Sequence, residues 1–343
     1  MIKKLLSSVR EYKKDAILTP IYVTVESILE IIIPTLIAFL IDNGISQKNM
    51  SNIFLIGLAL TAMAGLSLLT GILAGRSAAI ASAGFAKNLR HDMFMNVQKF
   101  SFSNIDKFST ASIITRLTTD ITNVQNAFQM MIRLAVRAPM MIVFALVFSF
   151  RIDAKLSLIF LGVMPVLGVG LWLIMTSVHP IFVRVFTTYD TLNNVVQENL
   201  RGIRVVKSYH REDYENHKVE GISQSIFNDF TKAEKRLAIN SPLMQFCLYT
   251  SLILLSWFGA KAIVASGNNA VTGLSTGELT SLVTYAVQIL MSLMMLSMVF
   301  VMIIISRASA ARIVEILDEQ SDLQSGENPV TEIKNGAISL EHV

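Results

Sequence analysis

Leu156-Ser-Leu-Ile-Phe-Leu-Gly-Val-Met-Pro-Val-Leu-Gly-Val-Gly-Leu-Trp-Leu-Ile-Met175 runs for 20 residues without a charged side chain. A helix of that length rises about 30 Å, the thickness of a bilayer's hydrocarbon core. Apolar runs of similar length lie near residues 17–41, 53–73, 131–150, 243–265 and 279–305, so six spans are expected and the fold class is an all-α membrane protein. Pro20, Pro34, Pro139, Pro165 and Pro242 fall in or beside these runs. A spanning helix tolerates them where its neighbours satisfy the carbonyls that proline frees. The whole chain agrees, with 52% hydrophobic and 16% charged residues and a mean hydropathy of +0.55. A soluble domain carries about 25% charged residues.

Lysine and arginine fall in blocks between the spans. Threading the six spans places 25 of them on one side and only Lys48, Arg151, Lys155 and Lys261 on the other. By the positive-inside rule both termini are cytoplasmic. A nucleic-acid binder would gather its basic residues on one face, so no nucleic-acid partner is expected. The single cysteine, Cys247, lies inside an apolar run and excludes an internal disulfide.

The segments between spans are lopsided. Outside, 42–52, 151–155 and 266–278 are short. Inside, 75–100 with 107–130, and 177–208 with 216–242, keep helical apolar spacing. A stretch of 25 helical residues is about 38 Å long, so two helical hairpins should project into the cytosol, each closed by a short tip. Residues 1–16 alternate basic and apolar positions as an amphipathic helix at the membrane surface does, although a disordered basic flank has the same composition. Residues 319–335 have the composition of a linker, and 336–343 begin to alternate like a strand.

Several polar residues stand out against the apolar background. Glu26 and Glu30 lie one turn apart within the first span, where carboxylates must face the bundle interior or water. They could contact cationic cargo or pair with a buried polar partner. Arg133 and Arg137 form a similar pair at the inner end of the third span, positioned to snorkel to the headgroups. On the sixth span Met291, Met294, Met295, Met298 and Met302 form a stripe. Methionine suits adaptable binding surfaces, and equally suits packing or lipid contact. Met291, Met295 and Met298, with Glu26 and Glu30, are the candidate cavity residues. The five histidines show no metal-ligand spacing, no nucleophile has a base beside it, and no Gly-x-x-x-x-Gly-Lys-Ser/Thr loop occurs. Neither a catalytic residue nor a metal site is expected in this chain.

The two inner tips are the most distinctive stretches. The first reads Asn104-Ile-Asp-Lys-Phe-Ser-Thr-Ala-Ser-Ile-Ile-Thr-Arg-Leu-Thr-Thr-Asp120. The second reads Gln197-Glu-Asn-Leu-Arg-Gly-Ile-Arg-Val-Val-Lys-Ser-Tyr-His-Arg-Glu-Asp-Tyr-Glu215. Helical spacing allows Arg116 to pair with Asp120 and Arg211 with Glu215. Between the helices, Asn104, Ile105, Asp106 and Lys107, and Tyr209, His210, Arg211, Glu212 and Asp213, are the side chains a tip would expose. Charge runs of this kind can also simply solvate a hairpin end.

These tips resemble the two intracellular loops of the ATP-binding cassette (ABC) exporter transmembrane domain, of the multidrug and lipid type. The resemblance covers essentially the whole chain, and the closing Asn335-Gly-Ala-Ile-Ser-Leu-Glu-His-Val343 is similar to the first strand of that family's nucleotide-binding domain. It implies an interfacial elbow helix (1–16), a transmembrane domain (17–318), a linker (319–335) and the start of a nucleotide-binding domain (336–343). It further implies that the two tips are coupling helices docking into nucleotide-binding domains, the second into that of a partner half-transporter, identical or not. ATP and Mg²⁺ would act at those domains and not in this chain. The cargo would be a hydrophobic small molecule, a lipid or a peptide, and the setting a bacterial cell membrane. Two other classes fit six spans. An ion-gradient-driven transporter would use Glu26 and Glu30 as ion sites but should have short loops on both sides. A membrane-embedded sensor would move no cargo.

Overall fold

A computed structural model describes residues 2–268, 273–321, 335–337 and 339–340. Most of the expected linker and half of the expected strand lie outside the described residues. All secondary structure among the described residues is helical. The elements are α1 (Ile2–Ser7), α2 (Lys13–Phe39), α3 (Met50–Val97), α4 (Phe102–Phe108), α5 (Thr110–Thr115), α6 (Ile121–Ile152), α7 (Ala154–Ser208), α8 (Glu212–Leu237), α9 (Asn240–Ser266) and α10 (Thr276–Asp318). Among the described residues, six helical stretches are long and apolar enough to cross a membrane, and each contains one of the expected spans.

The surface helix is shorter than the sequence suggests. It stops at Ser7, a 3-10 turn follows at Arg10–Tyr12, and Lys13 already opens α2. Leu5 and Val9 turn into a core, and the chain bends at Arg10, which takes a positive φ of 41°.

The residues cluster into two compact units. The first comprises Met1–Pro20, Ala74–Arg133 and Val299–Val343. Its core packs Leu5, Phe85, Leu89, Met93, Phe108, Ile121, Ile313 and Ile316, with the Phe85 and Phe128 rings 4.7 Å apart. The last turns of α10 are held here by polar groups from other elements. Asn96 Nδ2 donates to the carbonyls of Ile316 and Glu319 at 2.7 and 3.0 Å, and Lys4 Nζ donates to that of Leu317 at 2.9 Å and pairs with Asp318. The terminal carbonyls of a helix have no intrahelical partner, so these contacts act as its cap.

The expected Arg116–Asp120 pair does not form. Residues Arg116–Asp120 make a π-helical turn, and both side chains reach α10 instead. Arg116 Nη1 donates to the Arg312 carbonyl at 2.9 Å and to Glu315 Oε2 at 2.7 Å. Arg312 grips Asp120 through two donors, Nε at 2.7 Å from Oδ2 and Nη2 on Oδ1. Asp120 is only 1% exposed, so replacing it by asparagine leaves the Arg312 fork half answered. We expect Asp120→Asn to cost about 2 kcal/mol, a typical figure for hydrogen bonds to a charged group. Hydrogen exchange should quicken in the last turns of α10 and stay unchanged in α9.

The second unit comprises Ile21–Leu73 and Leu134–Met298. Its main core gathers Ile31, Met141, Phe160, Leu255, Leu274, Leu282, Tyr285 and Ile289. Tyr285 shows how Pro34 is accommodated. Proline lacks an N–H and disturbs the preceding turn. The buried Tyr285 hydroxyl donates to the Ile31 carbonyl at 2.9 Å, and Ser281 Oγ donates to the Pro34 carbonyl at 2.6 Å. α10 thus answers backbone carbonyls on either side of Pro34 in α2, which runs on unbroken. Where the chain enters α10, Asp42 accepts from Gly277 N at 3.0 Å and from Ser275 Oγ at 2.5 Å. A side chain at Gly277 would collide with the Ala38 carbonyl and with Asp42, so only glycine allows this approach.

Candidate functional site

Glu26 and Glu30 lie 13 and 17 residues into the 27-residue helix α2. By helix rise both stand about 14–20 Å from the start of the apolar run at residue 17, well inside it. Two carboxylates there demand compensation. Arg137 of α6 supplies it. Its Nη1 donates to Glu26 Oε1 at 2.7 Å, and its Nη2 donates to both oxygens of Glu30 at 2.7 Å. Arg137 therefore does not snorkel to the headgroups. A guanidinium among these helices gains more from one buried and one half-buried carboxylate than from extending toward water. Arg133 lies four residues earlier, within the first unit, beside Gly75.

In this triad two carboxylates share one guanidinium. Glu26 is 7% exposed, yet its Oε2 has no hydrogen-bond partner. Gly71 of α3 makes the room: a Cβ there would lie 3.0 Å from Glu26 Oε1. Gly71 therefore serves close approach, here to a carboxylate.

Two cavities share Glu30. One of about 480 Å³ is bounded by Glu26, Glu30, Ser67, Leu68 and Gly71 between α2 and α3. The other, of about 430 Å³, lies among α2, α6 and α10 and is lined by Glu30, Arg137, Gln288, Met291 and Met295 among others. Of the methionine stripe, Met291 and Met295 reach this cavity, whereas Met298 is exposed and outside its lining. Gln288 was not singled out by sequence. Its buried Oε1 has no partner, and a lone glutamine in an apolar run is visible from the sequence alone.

The first tip belongs to the first unit. Ser101 and Asn104 form a capping box, and Asn104 Nδ2 donates to Glu319 Oε1 at 2.9 Å and to the Gln320 carbonyl at 3.2 Å. Asn104 is thus 2% exposed and does not face outward as expected. Capping α4 and the end of α10 at once uses up its hydrogen-bonding groups. Lys107 pairs with Glu319 at 2.8 Å. The exposed residues of this tip are Phe102, Ser103, Ile105, Asp106 and Lys107, with Phe102 85% exposed. Phe102 lies just before the residues that sequence reasoning chose.

The second tip belongs to the second unit. α7 ends at Ser208, and His210 takes a positive φ of 51°, the left-handed turn that reverses the chain into α8. Tyr209, His210, Arg211 and Asp213 are exposed, Tyr209 at 76%. Glu212 is half-buried and pairs with Lys207 at 3.0 Å. The expected Arg211–Glu215 pair is absent, because Glu215 accepts instead from Asn199 Nδ2 on α7 at 3.2 Å. Lys218 and Glu198 add a second tie between α7 and α8 at 3.2 Å.

Six spanning helices, long paired extensions and these two tips define an ABC-type transmembrane domain. Residues 17–293 match the ABC transporter transmembrane region, and the chain belongs to that family. It is 29% identical over its full length to the uncharacterized ABC transporter ATP-binding protein YfiB of Bacillus subtilis (strain 168), of which it covers 58%. It is 27% identical over 96% of its length to the uncharacterized ABC transporter ATP-binding protein Rv1273c of Mycobacterium tuberculosis, covering 56% of that protein. Over 71% of its length it is 23% identical to the ATP-dependent lipid A-core flippase of Pseudomonas savastanoi pv. phaseolicola, covering 40% of it. The chain thus spans little more than half the length of the curated relatives it matches most fully.

Proposed function

We propose that the chain forms the membrane pathway of an ATP-driven exporter subunit, with residues 17–318 as its transmembrane domain and 319–335 as the linker to a nucleotide-binding domain. Two such subunits, alike or different, enclose the cargo path, and both termini are cytoplasmic. ATP and Mg²⁺ act at the nucleotide-binding domains. Ile105, Asp106 and Phe102 on the first tip, and Tyr209, His210, Arg211 and Asp213 on the second, form the surface through which those domains move the spans. Asn104, Lys107 and Glu212 are engaged by partners within their own units. The cargo is hydrophobic or amphipathic, and the flippase relative makes lipids one class to test.

The observation that carries this reading is the length of α7. Its 55 residues extend about 82 Å, far beyond a bilayer of about 30 Å, and it ends in a turn of exposed charged and aromatic side chains. An ion-gradient-driven transporter needs no such extension. Its candidate ion ligands, Glu26 and Glu30, are moreover both engaged by Arg137.

Single cysteines in a Cys247→Ala background of the full-length protein test the reading without knowledge of the cargo. An impermeant maleimide should label Asn49→Cys in intact cells and Ser208→Cys only after permeabilisation. In permeabilised membranes, Met291→Cys should change its labelling rate when ATP and Mg²⁺ are added. Labelling of Ser208→Cys in intact cells, or a rate at Met291→Cys indifferent to ATP, would refute it.

A further inference from the structure

The first fourteen residues carry five basic side chains, and the fold divides them into two sets. Lys4 and Arg10 are spent inside the first unit. Lys4 holds the end of α10 through the Leu317 carbonyl and Asp318, and Arg10 pairs with Asp92 of α3 at 2.7 Å. Ser8 Oγ donates to the same carboxylate at 2.9 Å, which pins the bend at Arg10 to α3. Lys3, Lys13 and Lys14 are exposed, and among the described residues none of them has an acidic partner. The neighbouring acids lie off this face. Glu11 accepts from Asn88 Nδ2 of α3 at 3.2 Å, and Asp15 stands one turn before the fully buried Thr19. The three free ammonium groups border exposed apolar side chains. Lys13 and Lys14 stand one turn before Ile17 and share its exposed face, about 5–6 Å before the apolar run begins. On α1, Ile2 and Leu6 are exposed one turn apart beside Lys3, while Leu5 packs into the core. Apolar side chains that enter the acyl boundary, with ammonium groups left at headgroup level, suit a membrane surface, and the lysines select for negative charge in it. Ile17 opens a spanning run, where a soluble acidic partner has no access.

We propose that this face binds acidic phospholipid of the inner leaflet, and that lipid bound there steadies the end of α10 through Lys4. The link is short. Lys3, on the lipid face, and Lys4, on the last carbonyls of α10, are consecutive residues of one helix. Holding the lipid face therefore restrains the side chain that caps α10. Binding needs neither nucleotide nor cargo, so its failure would leave the exporter reading standing.

The test uses the full-length protein in phosphatidylcholine nanodiscs, cysteine-free except for Ser7→Cys on the exposed side of α1, which carries a bimane label. The quenchers are phosphatidylglycerol and phosphatidylcholine with the same nitroxide-labelled acyl chain. Each lysine near an acidic surface is worth about fivefold, so labelled phosphatidylglycerol should quench at a mole fraction at least about tenfold lower. Lys3→Gln with Lys13→Gln and Lys14→Gln should bring the two quenchers to within about twofold. The melting temperature should not fall, since all three side chains are exposed. Equal quenching by both lipids in the parent, or a preference that the triple variant keeps, overturns the site. Hydrogen exchange of the unlabelled protein reads the link to α10. In the last turns of α10 it should be several-fold slower in discs containing phosphatidylglycerol than in phosphatidylcholine alone. That difference should vanish in Lys4→Gln, which keeps the three lysines and therefore the quenching preference. Exchange indifferent to phosphatidylglycerol in the parent, or still slowed by it in Lys4→Gln, overturns the link.

Discussion

Arg137→Leu is expected to destabilise the protein by about 3–5 kcal/mol, the scale of a buried ion cluster robbed of one partner. The magnitude follows from what remains. Glu26 and Glu30 would share one helix face well inside the apolar run with no cation between them, and both Arg137 contacts are at 2.7 Å. Folded yield and apparent melting temperature in detergent should both fall sharply. The decisive variant is the triple Glu26→Gln, Glu30→Gln, Arg137→Leu. Replacing a whole buried ion cluster by uncharged groups is often neutral or even stabilising, so the triple variant should recover most of the lost melting temperature. If Arg137→Leu melts like the parent, the guanidinium does not neutralise the two glutamates. If the triple variant melts as low as the single one, the loss reflects packing around Arg137 and not charge.

The elements and spans were readable from sequence because both rest on local signals. Apolar run length places six spans, and helical spacing between them foretold extensions such as α7, which runs unbroken from Ala154 to Ser208. The errors concern partners brought from far along the chain. Periodicity shows that Glu26 and Glu30 share a face, but not which way α2 is rotated against α6. Arg137, 107 residues beyond Glu30, was therefore assigned to the headgroups. Asn104 was judged exposed because it opens a polar tip, yet Glu319, 215 residues on, draws it inward. Arg116 and Asp120 sit at the right spacing for a pair, and each found a better partner on α10. In every case the local rule was sound, but a long-range charge or carbonyl outweighed it. Phe102 was missed for another reason: a phenylalanine beside an apolar-periodic stretch reads as core until the helix axis is known.

The second large effect concerns the exposed tips. In the full-length protein, Phe102→Ala with Ile105→Ala, or Tyr209→Ala with Arg211→Ala, should abolish ATP-driven transport while leaving insertion and nucleotide binding intact. Phe102 and Tyr209 contribute little to either unit's core, being 85% and 76% exposed. Asn104, Lys107 and Glu212, each tied to a partner within its own unit, stay in place, so each tip keeps its shape. What disappears is apolar and charged surface available to a docking domain, and a few such residues usually dominate an interface. Motion passes between domains only where a contact differs between two states, so losing it uncouples the domains without unfolding either. The expected signature in proteoliposomes is a basal ATPase rate that persists, no stimulation by transported probe, and uptake at background. The controls are Asn104→Ala and Lys107→Ala. These should instead loosen the grip on the end of α10, seen as faster hydrogen exchange there. Transport at the parental rate in both surface variants would show that the tips are solvated hairpin ends, and the coupling assignment would fall.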